Sequence, residues 1–460
     1  MTWSDTPPVS APDLDPALLG LLDERVPRYT SYPTAAQFGP LVGAVAYRRW
    51  LAELPDLPLS LYLHIPFCRQ LCWYCGCATT VVRRSEPVEA YLDLLRREIA
   101  MVAATIGRRQ QVAHVHFGGG TPNILSAAQF DRMMAVLRKA FDCDGAEIAV
   151  EIDPRVLTDD LVDAFGRAGV ARASIGVQDF APAVQAAINR VQSVEQTRSA
   201  VERLRAAGVA GINLDLVYGL PYQTEKGFVE TVEAALALTP DRLALFGYAH
   251  VPWMRRHQTL IDESALPGGL ARWRQYRAAG DRIADAGFRR IGLDHFARPY
   301  DTLADALDAG RLRRNFQGYT ADDAPILLGF GASAIGQLPQ GYVQNPAGVP
   351  AYGDALKAGR LPTVRGIVLT DDDRLRGAII ERLMCDLAVD VEAICRDHDA
   401  DWRCLAHELA ALAPFEAAGI VMRRGPVVRV AEAGRLLLRS IASVFDVHRA
   451  AGARRYARAV

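Results

Sequence analysis

Much that would classify this chain at a glance is missing from it. No apolar run approaches the ~20 residues of a membrane-spanning helix. Met1 to Ser10 carry no basic segment leading into an apolar core and a small-residue cleavage site, so no secretory signal is expected. With 52 basic against 53 acidic residues the net charge is −1, which leaves no electrostatic footprint for nucleic acid. Low-complexity tracts are absent, and only the first ~15 residues, rich in proline, serine and aspartate, read as disordered. Cysteine is scarce, 8 in 460 residues, and without an oxidising compartment those eight are not expected to pair as disulfides. What remains is a globular composition, 50% hydrophobic and 23% charged, in a chain long enough for two or three domains. The expectation is a cytoplasmic protein with no nucleic-acid partner and no membrane span, in which nothing demands more than a monomer.

The few cysteines are unevenly placed. Cys68, Cys72, Cys75 and Cys77 fall in the run His64-Ile65-Pro66-Phe67-Cys68-Arg69-Gln70-Leu71-Cys72-Trp73-Tyr74-Cys75-Gly76-Cys77, the first three spaced C-x3-C-x2-C. Three thiolates from one loop can hold three corners of a [4Fe-4S] cluster and leave the fourth iron open to a reactant, whereas electron-transfer clusters usually tie every iron to cysteine. A structural zinc site is the main competitor, but it pairs two half-sites, and Cys143, Cys385, Cys395 and Cys404 are scattered far away.

Short β-branched runs recur at 59–65, 112–117, 147–152, 171–177, 211–217 and 242–249, with helical periodicity between them at 87–106, 125–141, 193–207 and 226–238. Strand then helix, repeated six times, predicts an α/β fold: a parallel sheet curled into a complete or partial (β/α)6 barrel, TIM-like, with helices outside. In such barrels the site lies at the C-terminal ends of the strands. The cysteine loop follows the first strand. Gly118-Gly119-Gly120-Thr121-Pro122, Glu151, Gln178, Asp215 and Ala249 fall after or at the ends of the others. Each alone reads equally well as a turn glycine or a polar cap; together they favour one shared site. The glycines expose backbone N–H and C=O groups able to hold an amino-acid moiety, and the acids and amide can take hydrogen bonds from an amine or a ribose.

Two further segments flank this core. Arg25 to Thr34 has two prolines, two tyrosines and two arginines among its other residues and suits an arm crossing the surface, or binding of a flat anionic ligand. Residues 285–346 carry Asp294-His295-Phe296-Ala297-Arg298-Pro299, then Arg311, Arg313 and Arg314, then Asn315-Phe316-Gln317-Gly318-Tyr319, with arginines able to clamp carboxylates. Helical periods at 371–387, 390–397 and 402–414, a hairpin turning at Gly425-Pro426 and a helix at 432–446 resemble a winged-helix unit. The expected division is an N-terminal arm and substrate-closing segment 1–55, barrel 56–285, barrel extension 286–365 and C-terminal unit 366–460.

These motifs together resemble the radical S-adenosylmethionine (SAM) enzymes: C-x3-C-x2-C after the first strand, Tyr74 before the third cysteine, and Gly-Gly-Gly-Thr-Pro after the second strand. The Arg28-to-Thr34 arm, Tyr62-Leu63-His64-Ile65-Pro66-Phe67-Cys68, Cys77 and the Asp294-to-Pro299 and Asn315-to-Tyr319 blocks narrow the resemblance to the oxygen-independent coproporphyrinogen III oxidases of haem biosynthesis, from about residue 25 to the C-terminus. The resemblance implies a [4Fe-4S] cluster on Cys68, Cys72 and Cys75, with Cys77 not a ligand. It implies two SAM molecules in one site, on Tyr62, Tyr74, Gly119, Gly120, Thr121, Glu151, Gln178, Arg190, Asp215, Ala249 and Ile335. Gly247 departs from the asparagine expected before Tyr248-Ala249-His250. The implied reaction turns two propionates of coproporphyrinogen III into vinyl groups, giving protoporphyrinogen IX, by a 5′-deoxyadenosyl radical. It needs a low-potential electron donor and an electron acceptor, and no side chain acts as acid or base. Substrate carboxylates and macrocycle are expected to meet Arg28, Tyr29, Tyr32, Arg298 and Arg314. A radical SAM haem chaperone and a tetrapyrrole methyltransferase are the alternatives. Stable haem binding without turnover marks the first, and a methylated product marks the second.

Overall fold

The computed structural model describes residues 20–449 and Tyr456; the first nineteen residues of the expected arm lie outside it. Six strands carry the barrel: β1 Leu59–Ile65, β2 Val112–Gly119, β3 Glu147–Ile152, β4 Val170–Gln178, β5 Gly211–Tyr218 and β6 Arg242–Gly247. Each pairs in parallel with the next. The helices between them are α1 Glu86–Ile106, α2 Ala127–Ala140, α3 Asp159–Ala168, α4 Val194–Ala206 and α5 Glu225–Leu236, and α6 Gly269–Asp285 follows β6. Ser126 with Gln129 and Ser193 with Gln196 form capping boxes that set the starts of α2 and α4. The fold expectation holds, with α3 and a short helix, Pro182–Ala187 between β4 and α4, added. α3 follows the acidic first turn Asp159-Asp160 and stops at Gly169, at φ 79°.

The sheet is larger than six strands and mixed. β7 Arg289–Ile291, β8 His295–Ala297, β9 Ile326–Phe330, β10 Ile335–Leu338, β11 Gly341–Gln344 and β12 Arg365–Val368 bring it to twelve, in the order β12-β11-β10-β9-β1-β2-β3-β4-β5-β6-β8-β7. β9 joins β1 in parallel, and the outer strands on both sides run antiparallel. The arm returns at Gly39 to bridge Gly366 of β12, with N–H···O distances of 2.8 and 2.9 Å. Segment 286–365 therefore supplies strands to both edges.

Alternation along the strands sorts the side chains. Leu59, Leu61, Leu63, Ile65, Phe117, Val150, Ile175, Leu214 and Leu245 are buried in the main apolar core. The intervening residues, Ser60, His114, His116, Glu147, Glu151, Arg172, Ser174, Asn213, Asp215 and Arg242, line a cavity of about 310 Å³. Its end nearest the strand starts is lined by charge. Arg172 pairs with Glu147 at 3.1 Å and with Asp301 at 3.2 Å, and Arg242 pairs with Asp301 at 2.7 Å. The barrel is thus polar inside, with a charged cluster at the strand starts and the glycine and cysteine loops at the strand ends.

In the C-terminal unit, α7 Asp371–Asp386 and the helix Val391–Asp397 agree with the periodicity. The wing is a three-stranded sheet, Ala388–Asp390 adding to Val421–Arg424 and Val427–Val430. Two expected helices are broken. Residues 402–414 fall in three short helical pieces, Trp402–Leu405, Ala406–Ala410 and Ala413–Ala417, the last opening at Pro414, which has no N–H to continue the one before. In 432–446, only Leu438–Ala442 is α-helical; Gly434, a weak helix former, lies where a Cβ would come 2.9 Å from the Ile420 carbonyl oxygen. Among the described residues no helix is long and apolar enough to cross a membrane.

Candidate active site

The cysteine loop is pinned at both ends and along its length. Phe67–Cys68 runs parallel to Thr80–Val81, with Thr80 N–H on the Pro66 carbonyl at 2.7 Å and Val82 N–H on the Cys68 carbonyl at 3.0 Å. Between these ties, the Asn189 amide donates to the Leu71 carbonyl (2.8 Å), the Gln258 amide to the Tyr74 carbonyl (2.9 Å), and Trp73 N–H to the Ile188 carbonyl (2.9 Å). His257 Nε2 lies 2.7 Å from the Cys75 carbonyl. Loops after β4 and β6 thus hold the loop after β1 over the barrel mouth.

The sulfurs sit in contrasting surroundings. Cys72 Sγ is buried and receives two guanidiniums, Arg190 Nη1 at 3.6 Å and Arg155 Nη2 at 3.7 Å. Both arginines are held by Asp153, at 3.4 and 2.6 Å. Burial opposes the Asp153 charge, but Arg190 and Arg155 outweigh it and keep this carboxyl below its usual range. Cys68 Sγ lies 3.4 Å from Thr121 Oγ1. The Cys75 thiol is lowered to about 7, first by a hydrogen bond from Cys77, and Cys77 N–H also donates to Cys75 Sγ at 3.4 Å. Burial pushes the Cys68 thiol up to about 11, so the three sulfurs are not uniformly poised as anions, but three thiols on one loop, one facing two cations, are the donor set an iron-sulfur group takes. Among the described residues no three His, Cys, Asp or Glu side chains stand as ligands of a single metal ion.

Facing the loop is the glycine cradle. Gly119 sits at φ 120°, a backbone that side chains rarely adopt, and its N–H donates to Glu151 Oε2 at 3.0 Å. Gly120 N–H donates to the Ile65 carbonyl at 2.8 Å, so close that a Cβ there would come 2.7 Å from the Phe67 carbonyl oxygen. Glu151 Oε1 lies 3.2 Å from His116 Nε2, whose ring stacks on Tyr62, and Tyr62 Oη lies 2.9 Å from His64 Nδ1. Asp215 accepts from Ser174 Oγ (2.9 Å) and Asn213 Nδ2 (2.7 Å), and burial lifts its carboxyl above the usual range. Gln178 follows a bulge in β4 at φ 71°. Ile335 starts β10, its carbonyl pressed on Gly329, which pairs with Tyr62.

Comparison with known proteins decides what this arrangement belongs to. The Radical SAM superfamily profile matches residues 62–235, and that of the HemN C-terminal domain matches 369–437. The oxygen-independent coproporphyrinogen III oxidase of Bradyrhizobium diazoefficiens is 53% identical over 440 residues, covering 95% of this chain and 98% of its own. The chain belongs to the oxygen-independent coproporphyrinogen III oxidase family. Coproporphyrinogen III oxidase (HemN) from Escherichia coli, a radical SAM enzyme of known structure, superposes with a TM-score of 0.88 at 39% identity, covering 95% of this chain and 99% of that one. The Pseudomonas aeruginosa member is 40% identical over 438 residues, 94% of this chain and 95% of its own.

For this oxidase family member the eleven SAM-site candidates all fall at the strand-end face or on the loops and strands beside it. Ala249 is among them, its carbonyl accepting from Gln258 Nε2 at 3.1 Å. The substrate candidates divide. Arg28 Nη2 donates to the Gly247 carbonyl at 3.0 Å, at the end of β6, and Arg314 Nη1 lies 3.4 Å from Asp294. Arg298 is not brought to the site. β8 runs antiparallel to β6, so Arg298, just beyond Ala297, lies at the start of β6, donates to the Ala286 carbonyl and sits 4.0 Å over the Phe288 ring. Tyr29 and Tyr32 are buried against the C-terminal segment, Tyr29 Oη donating to Asp446 (2.9 Å) and Tyr32 Oη accepting from Val447 N–H (3.2 Å), and both line a cavity of about 260 Å³ shared with Arg314. Arg155 went unnoticed in the sequence, although Asp153-Pro154-Arg155 directly after a strand was its signal.

Proposed function

We propose that the protein carries out the oxygen-independent oxidative decarboxylation of two propionates of coproporphyrinogen III to vinyl groups, giving protoporphyrinogen IX. Cys68, Cys72 and Cys75 hold a [4Fe-4S] cluster and two SAM molecules occupy the strand-end site, contacting Tyr62, Tyr74, Gly119, Gly120, Thr121, Glu151, Gln178, Arg190, Asp215, Ala249 and Ile335. The working division remains an arm to 55, a barrel to 285, an extension to 365 and a C-terminal unit, in a cytoplasmic monomer served by a low-potential electron donor and an electron acceptor. The observation that carries this reading is the three-thiol loop tied over a polar barrel mouth, in a chain 53% identical to an enzyme of that name.

The hydrogen to be removed lies next to a pyrrole and is not acidic, so no side-chain base can be tuned to take it. The bound cluster and SAM supply one-electron chemistry and a radical able to abstract it. The chain's own residues do the rest. Arg155 and Arg190 neutralise the sulfur of Cys72. The Gly118-to-Gly120 backbone lets an amino-acid moiety approach without a side chain in between. Glu151 and Asp215 accept hydrogen bonds from amine and hydroxyl groups and so orient what binds there.

Protein reconstituted with iron and sulfide without oxygen, then given SAM, a reductant and coproporphyrinogen III, is expected to form protoporphyrinogen IX and 5′-deoxyadenosine. Cys68→Ser, Cys72→Ser and Cys75→Ser are each expected to abolish both the brown absorbance and turnover. Retained turnover in any one of them sinks the assignment.

A further inference from the structure

Three guanidiniums from distant parts of the chain converge on one carboxylate beside the barrel mouth. Arg314, in the short strand Arg313–Asn315, places Nη1 3.4 Å from Asp294 Oδ1, and Arg439, in the C-terminal helix Leu438–Ala442, places Nη2 3.8 Å from Asp294 Oδ2. Arg28, from the arm, lies near enough to both Asp294 and Arg439 for their charges to act on it. A fourth cation, Arg272, also acts on Arg28, and its Nη2 donates to the Tyr248 carbonyl at 2.8 Å. Asp294 further meets His295 Nδ1 at 2.8 Å. Burial opposes the Asp294 charge, but Arg314, His295 and Arg439 hold this carboxyl below the usual range.

One carboxylate cannot balance this many cations, and buried charges are ordinarily paired. The neighbouring arginines follow that rule. Arg435, one turn before Arg439, reaches both oxygens of Glu432 and the Gly292 carbonyl, and Arg376 reaches Asp372 and Glu408. Arg439 and Arg314 break it: the Nε of each is buried with no hydrogen-bond partner among the described residues. Burial, then repulsion from Arg439, lowers Arg28 to about 10, the mark of a crowded cation. Arg28 is only half-buried and donates to the carbonyl of Gly247, the last residue of β6, which puts its end of the cluster at the strand-end face. His295 and Tyr319, which flank it, also line the barrel cavity.

We propose that Arg28, Arg314 and Arg439 form a binding site for an alkyl carboxylate, a propionate of the tetrapyrrole, with Asp294 keeping the guanidiniums in place. The proposal rests on the reading given under Proposed function, and it adds Arg439, a C-terminal residue, to the substrate site. The other alkyl carboxylate at hand is the methionine end of SAM, and the test separates the two. Full-length, cluster-loaded Arg439→Gln should raise the KM for coproporphyrinogen III about tenfold or more, the loss expected for one charge-assisted hydrogen bond, with kcat and SAM affinity changed less than twofold. Arg439→Lys should recover part of the loss. If Arg439→Gln does not load its cluster, Arg28→Gln, on the half-exposed arm, carries the same expectation. Coproporphyrinogen III binding, followed by tryptophan quenching without reductant, reads the site independently of turnover. If wild type binds but does not decarboxylate while Arg439→Gln binds weakly, the function falls and the carboxylate site stands. A KM and binding constant within twofold of wild type in Arg439→Gln and Arg28→Gln would overturn the site. A loss confined to SAM affinity would overturn the propionate assignment.

Discussion

Replacing Gly120 by alanine tests how the cysteine loop is held. The new Cβ would stand 2.7 Å from the Phe67 carbonyl oxygen, 2.9 Å from its nitrogen and 3.0 Å from its carbonyl carbon. All are backbone atoms of the residue preceding Cys68, so no side chain can swing aside. To reach the 3.4 Å at which ordinary contact begins, the two segments must part by about 0.7 Å, close to the ~1 Å misplacement that costs roughly a hundredfold in rate. Neither segment retreats easily. Gly120 N–H holds the Ile65 carbonyl at 2.8 Å, and Thr80 N–H holds the Pro66 carbonyl at 2.7 Å. The expected loss is about 1–3 kcal/mol of stability, the usual range for overpacking. Lower iron content and a turnover rate down by about a hundredfold should accompany it. Iron and sulfide per chain, the visible absorbance, the urea midpoint and the rate of protoporphyrinogen formation read these separately. A variant that loads a full cluster and matches wild type in urea and in rate would refute the reasoning.

Two more perturbations follow from the same contacts. Arg190→Gln removes the cation bonded to the Gly176 carbonyl at 2.7 Å and to Cys72 Sγ at 3.6 Å. Since Arg155 stays on Asp153, the expected destabilisation is about 3 kcal/mol, the lower end for breaking a buried pair, with reduced cluster retention; a urea shift below about 1 kcal/mol speaks against it. Glu98 of α1 accepts from Tyr352 Oη and Asn345 Nδ2, both at 2.6 Å, and from Gly331 N–H at 2.7 Å, and burial pushes its carboxyl up to about 7. With the folded value above the ordinary 4.5, its stabilising contribution is full below that pH and is lost, by about 3 kcal/mol, as pH rises through 7. Urea unfolding of wild type and Glu98→Gln at pH 5 and pH 8 should give a gap that changes with pH in this sense, and a gap that stays constant counts against it.

The barrel was legible because its signals are local. Each strand pairs a period-2 apolar face with a distinctive residue at its end, and a short loop cannot carry that residue away from the mouth. Contacts set by chain reversal were not legible. Arg298 reads as a neighbour of Asp294, but a strand advances about 3.3 Å per residue, and β8 runs antiparallel to β6, so four positions carry it to the opposite end. Nothing local to Tyr29 and Tyr32 shows that Asp446 and Val447, over 400 residues later, hold their hydroxyls. Arg439 sits in the expected helix at 432–446 with no motif around it, and only its distance to Asp294 gives it meaning. The outer strands β10 to β12 have four residues each, too short for a periodic pattern to register.

The bridge between Gly39 and Gly366 bears on how the protein behaves in solution. β12 is the last strand on its side of the sheet, and the arm occupies its outer hydrogen-bonding groups at Gly366, where a Cβ would come 2.1 Å from the Tyr342 carbonyl oxygen on the inner side. Cutting the chain back past Gly39 would uncover a bare strand edge in which Val368 is already 58% exposed. Such an edge is a template for pairing with a second chain. The arm that carries Arg28 thus also guards against self-association, and shortened forms should be judged for aggregation before any loss of activity is blamed on substrate contacts.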